Sequence, residues 1–175
     1  QLSPLFTVIA TQNPIDFDST NPLPEAQLDR FLTSIKLGYP SIDEELHLLS
    51  DYGDSVRHDP TAVLSKGSIT ILREACEEVF LHEDLARYIV AIARASREDS
   101  QIKLGISPRG SMHLAVACKA FALDKGRHQV IAEDIQRLIP PVWDHRILPR
   151  HGRDNDSAHA HELLQTILEK VPVPR

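Results

Sequence analysis

Apolar and polar positions divide this chain into two regimes. Phe6-Thr7-Val8-Ile9-Ala10 is a continuous, β-rich run, the pattern of an internal strand of a parallel sheet. Its amide-rich tip is Thr11-Gln12-Asn13-Pro14, and a polar loop follows from Ile15 to Pro22. A short helix start comes next, Leu23-Pro24-Glu25-Ala26-Gln27-Leu28-Asp29-Arg30-Phe31, and Ser34-Ile35-Lys36-Leu37-Gly38 reads as a second short strand. Tyr39-Pro40 then breaks the pattern, because proline has no N–H and restrains its predecessor. The expected boundary lies there, with a mixed α/β segment over 1–39 and an all-helical one over 40–175.

Helical spacing governs everything after Pro40. Ser41-Ile42-Asp43-Glu44 is a capping box, and its helix is expected to bury Ile42, Leu46 and Leu49 before stopping near Gly53. Asp54 to Pro60 is a polar loop. Ser65 or Ser68 caps a helix with Ile69, Leu72, Ala75 and Cys76 on its apolar face, and Val79-Phe80-Leu81 reads as a short extended or hairpin-like piece. His82-Glu83-Asp84 opens a longer helix that buries Leu85, Ile89, Ile92 and Ala93; Ser100 to Ile106 is a loop. Ser107-Pro108 is a strong start, a serine cap with proline at the first helical position. That helix runs to Leu123 and ends at Gly126, its alanines suiting close packing. Another runs through Ile135, Leu138 and Ile139, with Pro141 beginning a new turn that carries Val142, Trp143 and Ile147. Arg150 to Asp156 is polar, and a last helix from Ala158 to Lys170 buries Leu163, Leu164, Ile167 and Leu168.

Composition narrows the class. At 175 residues the chain suits one domain or one and a half, and 42% hydrophobic content supports a core. A net charge of −6 argues against a general nucleic-acid binder. No apolar run is long enough to span a membrane, and Gln1-Leu2-Ser3 leads almost at once into a strand, as in a piece of a longer protein. Cys76 and Cys118 lie in apolar helical patterns, as reduced core thiols do. His159 and His161, two apart, do not share a helix face, so no metal site is expected.

Three polar residues could carry chemistry. Asn13 stands at a strand's carboxyl end, where ligands of parallel sheets bind, and its amide can both donate and accept; the plainer reading is a turn before Pro14. Arg30 offers a planar guanidinium suited to bridging phosphate oxygens; the alternative is a surface arginine at a helix end. Arg109 adds charge to a helix N-terminus that already attracts anions, unless it serves a structural pair with Asp or Glu. Asp29 could orient Arg30, and Glu25 could cap its helix. Val130-Ile131-Ala132-Glu133-Asp134 is superficially a Walker B pattern, but acids there fit a helix start better. There is no Gly-Lys dipeptide, hence no phosphate loop of the G-x-x-x-x-G-K-[ST] kind.

Ala10-Thr11-Gln12-Asn13-Pro14, followed by Pro22 to Phe31, resembles the paired motifs of the MoxR family of AAA+ ATPases. Gly105-Ile106-Ser107-Pro108-Arg109 and His145-Arg146-Ile147 resemble segments of that family's lid, while Ile131-Ala132 and Asp18-Ser19 depart from its usual Thr-Pro and Glu-Gly. The resemblance implies a mostly α fold: a C-terminal remnant of a P-loop α/β core followed by an all-α lid. It implies that Asn13 is sensor 1, aligning water against the γ-phosphate. It makes Arg30 the arginine finger offered to a neighbouring subunit's ATP, and Arg109 sensor 2. It implies ATP and Mg2+ held mainly by residues upstream, a homo-oligomeric ring (a hexamer), a cytoplasmic location and chaperone-like remodelling of client complexes, often metalloenzymes. A magnesium-chelatase-like or DNA-remodelling relative and a non-enzymatic helical adaptor are the alternatives. Alone, the chain is expected to hydrolyse no ATP; the helices after Tyr39 should fold, while the strands, lacking partners, are expected to be displaced or borrowed by another copy.

Overall fold

Apolar residues at helical spacing on one side of α4 (Glu83–Glu98) line the centre of the molecule, where Tyr88, Ile89, Ile92, Ala93 and Ser96 are buried. The computed structural model describes residues 3, 5–12, 23–50, 61–151 and 157–174. Against α4 pack α5 (Pro108–Asp124) and α7 (Ser157–Lys170), and α6 (Ala132–Trp143) packs on α5. Two shorter helices, α1 (Glu25–Leu28) and α2 (Ile42–Ser50), and the longer α3 (Lys66–Glu78) precede them. α5 buries Gly110, Leu114, Cys118 and Ala122, a stripe at every fourth position whose small members let α6 approach. α6 supplies Ile135, Ile139, Val142 and Trp143, and α7 closes the core with Leu163, Leu164 and Ile167. Leu168 packs partly buried against the same cluster. Each fully buried side chain of this kind contributes about 1.5–3 kcal/mol. Burial also pushes the Cys118 thiol up to about 12, so it stays protonated and inert; Cys76 is partly buried, and both are free.

The helix starts follow local chemistry. Ser107 caps α5 by accepting from the Gly110 N–H (3.0 Å), with Pro108 in the first turn. Ser65 caps α3 by accepting from Ser68 N–H (3.0 Å), and His82 caps α4 by accepting from Asp84 N–H (3.2 Å). The capping box at α2 forms, with Ser41 N–H donating to Glu44 (2.7 Å). Gly126 ends α5 at φ +68°, a left-handed conformation that glycine adopts without strain. Asp134 does not end a Walker B strand: it is buried at the start of α6, accepts from Ile131 N–H (3.0 Å) and is gripped by Arg127 at 2.6 and 2.8 Å. Phe80 is extended as expected, forming an isolated parallel bridge with Gln129.

Four expectations need correction. The strands expected at Phe6–Ala10 and Ser34–Gly38 are not formed; Ile9 and Leu37 are 89% and 93% exposed. A strand exists only where a neighbour takes its N–H and C=O groups in a ladder, and among the described residues these segments show only single bonds, Phe6 N–H to Ser3 O (2.9 Å) and Ser34 N–H to Pro141 O (2.8 Å). α2 buries nothing: Ile42, Leu46 and Leu49 are all exposed, because no described element covers that face. The expected loop at Ser100–Ile106 instead contains β1 (Ile102–Leu104), paired antiparallel with β2 (Leu148–Pro149). Finally, α6 runs through Pro140 and Pro141 to Trp143 rather than stopping before them. The residues one turn earlier, Gln136 and Arg137, are exposed, so carbonyls lacking a helical donor there can turn to water. Asp54–Pro60 and most of Arg150–Asp156 lie outside the described residues, as does the expected end of α2 at Gly53. No described helix is long and apolar enough to cross a membrane.

Gly105 marks the closest approach of backbone to backbone. A Cβ there would sit 2.6 Å from the Ser96 carbonyl oxygen and 2.8 Å from Arg97 N, neither of which can rotate away. Gly105→Ala is expected to destabilise the helical domain by about 1–3 kcal/mol, the usual cost of overpacking. Gly67, in α3, has space for a Cβ, so Gly67→Ala should be neutral or slightly stabilising. Thermal unfolding followed by circular dichroism checks both; equal midpoints for the two variants would contradict the packing described.

Candidate functional site

The last turn of α1 delivers Asp29 and Arg30 to one edge of the helical domain. Asp29 N–H donates to the Glu25 carbonyl (2.9 Å) and Arg30 N–H to that of Gln27 (3.1 Å). Glu25 lies in the first turn but makes no cap; Pro24 precedes it. Arg30 itself is exposed and makes no ion pair with any described residue; beside it a shallow groove is lined by Val8, Pro24, Gln27, Phe31 and Leu32.

Asp29 does not pair with Arg30. Its carboxylate turns the other way and accepts from the Ser107 hydroxyl at 2.9 and 3.0 Å, from Arg146 Nη1 at 3.2 Å, and meets Arg109 Nη1 at 3.6 Å. Ser107 thus caps α5 through its oxygen and donates its proton to Asp29. Arg109 is about half exposed (53%) and keeps a free side facing solvent. The structural pairing considered for Arg109 is therefore present, and its partner is the residue next to Arg30.

The dominant contact comes from Arg146, at the end of the 3₁₀ turn Asp144–Arg146 that follows α6. Its side chain is only 1% exposed. Nε donates to the Val142 carbonyl (2.8 Å), and Nη1 to both the carbonyl (3.1 Å) and the carboxylate (3.2 Å) of Asp29. Nη2 reaches the Phe31 carbonyl, the Leu32 carbonyl (3.5 Å) and His113 Nδ1 (2.7 Å). One buried guanidinium therefore holds carbonyls on both sides of Arg30. A buried charge is tolerable only when paired and hydrogen-bonded, and removing one partner of such a pair typically costs about 3–5 kcal/mol.

Two histidines complete the cluster as neutral rings. A guanidinium only donates, so His113 Nδ1 must accept and its proton sits on Nε2. A carbonyl only accepts, so His145 Nε2 carries the proton it shares with Phe31 O (3.3 Å), leaving Nδ1 buried without a described partner. Burial, aided by the Arg146 charge, lowers both, His145 to about 4. Asp144 beside them is raised by burial, with His161 (3.2 Å) opposing.

Of the candidate residues, Arg109 pairs with Asp29, the chain neighbour of Arg30, whereas Asn13 lies outside the described residues. Arg146, His113 and His145 were not assigned roles from the sequence. The available signal was a polar run, Asp144-His145-Arg146, set between Trp143 and Ile147-Leu148, which are apolar and buried.

The histidines generate a pH prediction. A histidine whose folded pKa lies below its unfolded value must stay neutral for the fold, so stability is complete above about 6.5 and falls as pH drops towards about 4. Asp144, with its raised carboxyl, opposes this only at the acid end of that window. Stability measured by denaturant unfolding should decline across this range, and His145→Gln, which keeps a donor but does not titrate, should flatten the decline. An unchanged slope would contradict the neutral ring.

Comparison with known proteins places these features. Residues 94–167 match the AAA lid domain, and residues 1–33 match the ATPase family associated with various cellular activities (AAA). The chain is 38% identical to the uncharacterized protein YeaC of Bacillus subtilis, over 99% of this chain and 55% of that protein. It is 35% identical to Chaperone MoxR1 of Mycobacterium tuberculosis, over 97% of this chain and 47% of that one. The crystal structure of a candidate ATPase from Cytophaga hutchinsonii superposes with a TM-score of 0.82 at 31% identity, covering 99% of this chain and 56% of the other. The chain spans about half the length of the curated relatives it matches. Its fold, its two family matches and these relatives agree: the chain belongs to the MoxR family of AAA+ ATPases and corresponds to the C-terminal part of its members, the end of the α/β core followed by the helical lid.

Proposed function

We propose that this chain is the part of a ring ATPase that serves the neighbouring subunit's active site and reports nucleotide state to the lid. In this reading residues 1–39 end the core and residues 40–175 form the lid. Arg30 is the finger directed at a neighbour's ATP, Asn13 is sensor 1 and orients the attacking water, and Arg109 is sensor 2. The assembly is a homo-oligomeric ring, a hexamer in the cytoplasm, that remodels or matures client protein complexes. The word chaperone in the name of the Mycobacterium tuberculosis relative accords with that work.

The observation that carries the reading is the contrast between Arg30 and its surroundings. The turn around it is held by a buried arginine, yet its own side chain is left exposed and unpaired among the described residues. A surface arginine with no role does not require so much fixed backbone. Arg30 and the half-exposed Arg109 suit an anionic phosphate. In this reading Mg2+ and most ATP contacts belong to residues outside this chain, whose sequence has no Gly-Lys dipeptide and hence no phosphate loop. ATP supplies the phosphoanhydride bond; the residues here position charge and water around it.

Arg30→Ala in the full-length protein is expected to leave ATP binding near normal and to cut hydrolysis by about 10³-fold or more. Mixing these subunits with subunits whose phosphate-loop lysine is replaced should restore activity, because an intact loop then faces an intact Arg30 at some interfaces. No recovery despite confirmed subunit exchange would leave Arg30 a structural residue. Asn13→Ala should lower kcat while sparing ATP affinity. An equal fall in both would make Asn13 a binding or structural residue.

A further inference from the structure

We infer that Asp29 and Arg146 form a clamp that positions Arg30, so that the lid of a subunit sets the reach of that subunit's own finger. The inference rests on the reading of Arg30 as a finger and adds two positioning residues to it. Arg146 belongs to the segment after α6, far along the chain from Arg30, yet it binds the carbonyls of Asp29, Phe31 and Leu32. Those three peptide groups surround Arg30 and fix the direction in which its side chain leaves the turn. Asp29 fixes the fourth corner, tying the same turn to Ser107 at the start of α5.

The arrangement is more than packing. An arginine needed only to fill the core would be replaced there by an apolar side chain at no loss, since burying a guanidinium is costly unless every donor is used. Here three of the acceptors are backbone carbonyls of one short turn and a fourth is the Asp29 carboxylate of the same turn, whose only exposed charge is Arg30. Lysine could not substitute, because a single ammonium cannot span this set of acceptors. Gly110 is part of the same device: a Cβ there would lie 2.9 Å from Ile106 Cγ2 and 3.3 Å from Arg146 Cδ, so glycine leaves the arginine its path. The clamp also gives sensor 2 a route to the finger. Arg109 shares the Asp29 carboxylate, so any movement of α5 that draws Arg109 and Ser107 away loads the turn carrying Arg30.

The test uses the full-length protein with Asp29→Asn, Arg146→Lys and Arg30→Ala in parallel. Asp29→Asn keeps the side chain's size and an acceptor for Ser107, so it is the milder variant; Arg146→Lys keeps the charge but not the fork. A finger misplaced by about 1 Å loses on the order of 10²-fold in rate, so kcat should fall by about that factor in both variants while KM for ATP stays within a few-fold. KM is spared because neither Asp29 nor Arg146 is assigned a contact with the nucleotide, and Arg109 keeps its place at the start of α5. Mixing either variant with phosphate-loop-lysine variants should restore activity, as for Arg30→Ala, since the clamp acts only through its own subunit's finger. A structural defect would depress the variant subunit's own site and would not be rescued. Parallel loss of ATP affinity and kcat, or no recovery in mixtures where Arg30→Ala does recover, overturns the clamp. Normal hydrolysis by Arg30→Ala would instead overturn the finger reading beneath it.

Discussion

A buried guanidinium needs partners, and the solution found for Arg146 shapes the rest of this site. With 1% of its side chain exposed, it has no recourse to water. Its donors are met by one helix carbonyl, three carbonyls of the turn after α1, the Asp29 carboxylate and the His113 ring. Each requirement propagates. His113 must be neutral and present Nδ1; Asp29 must face inward, away from Arg30; Gly110 must lack a side chain, and its carbonyl is then free to accept from buried Trp143 (2.9 Å). The short α1 has no buried residue of its own, so these contacts, not hydrophobic packing, dock it to the lid.

Much of the helical domain was legible because its signals are local. Ser41, Ser65 and Ser107 cap helices through hydrogen bonds spanning three residues, and Gly126 ends one by its own backbone preference. Periodicity located the buried face of α4 for the same reason, since a helix in contact with a core must show it. Failures occurred where the outcome depends on a distant partner. Phe6–Ala10 has the composition of a strand, but pairing is a property of two segments, and the described residues provide no second one. α2 carries an apolar stripe and a working cap, yet its stripe is uncovered. β1 and β2 erred in the opposite direction, being too short to register as strands until their antiparallel pairing is seen.

The candidate site divides along the same line. Motif resemblance drew attention to Arg30 and Arg109 and to the His145-Arg146-Ile147 segment, but it gave Arg146 no role. No one-dimensional pattern reveals that an arginine after α6 will bind carbonyls near Phe31. Proximity of charge was also misleading locally: Asp29 adjoins Arg30 in sequence but serves Ser107, Arg146 and Arg109 in space. Asn13 lies outside the described residues, and its proposed role rests on the resemblance.

The most direct measurement of the central claim is a double-mutant cycle between Asp29 and Arg146, read as unfolding free energy of the 175-residue chain. Asp29→Asn, Arg146→Lys and the double variant complete the cycle with the parent. If the pair joins the turn to the lid as described, the single effects will be non-additive, with a coupling within the range of about 0.5–3 kcal/mol for residues in one hydrogen-bonded network. Additivity within about 0.5 kcal/mol, as for sites without shared partners, would contradict the account.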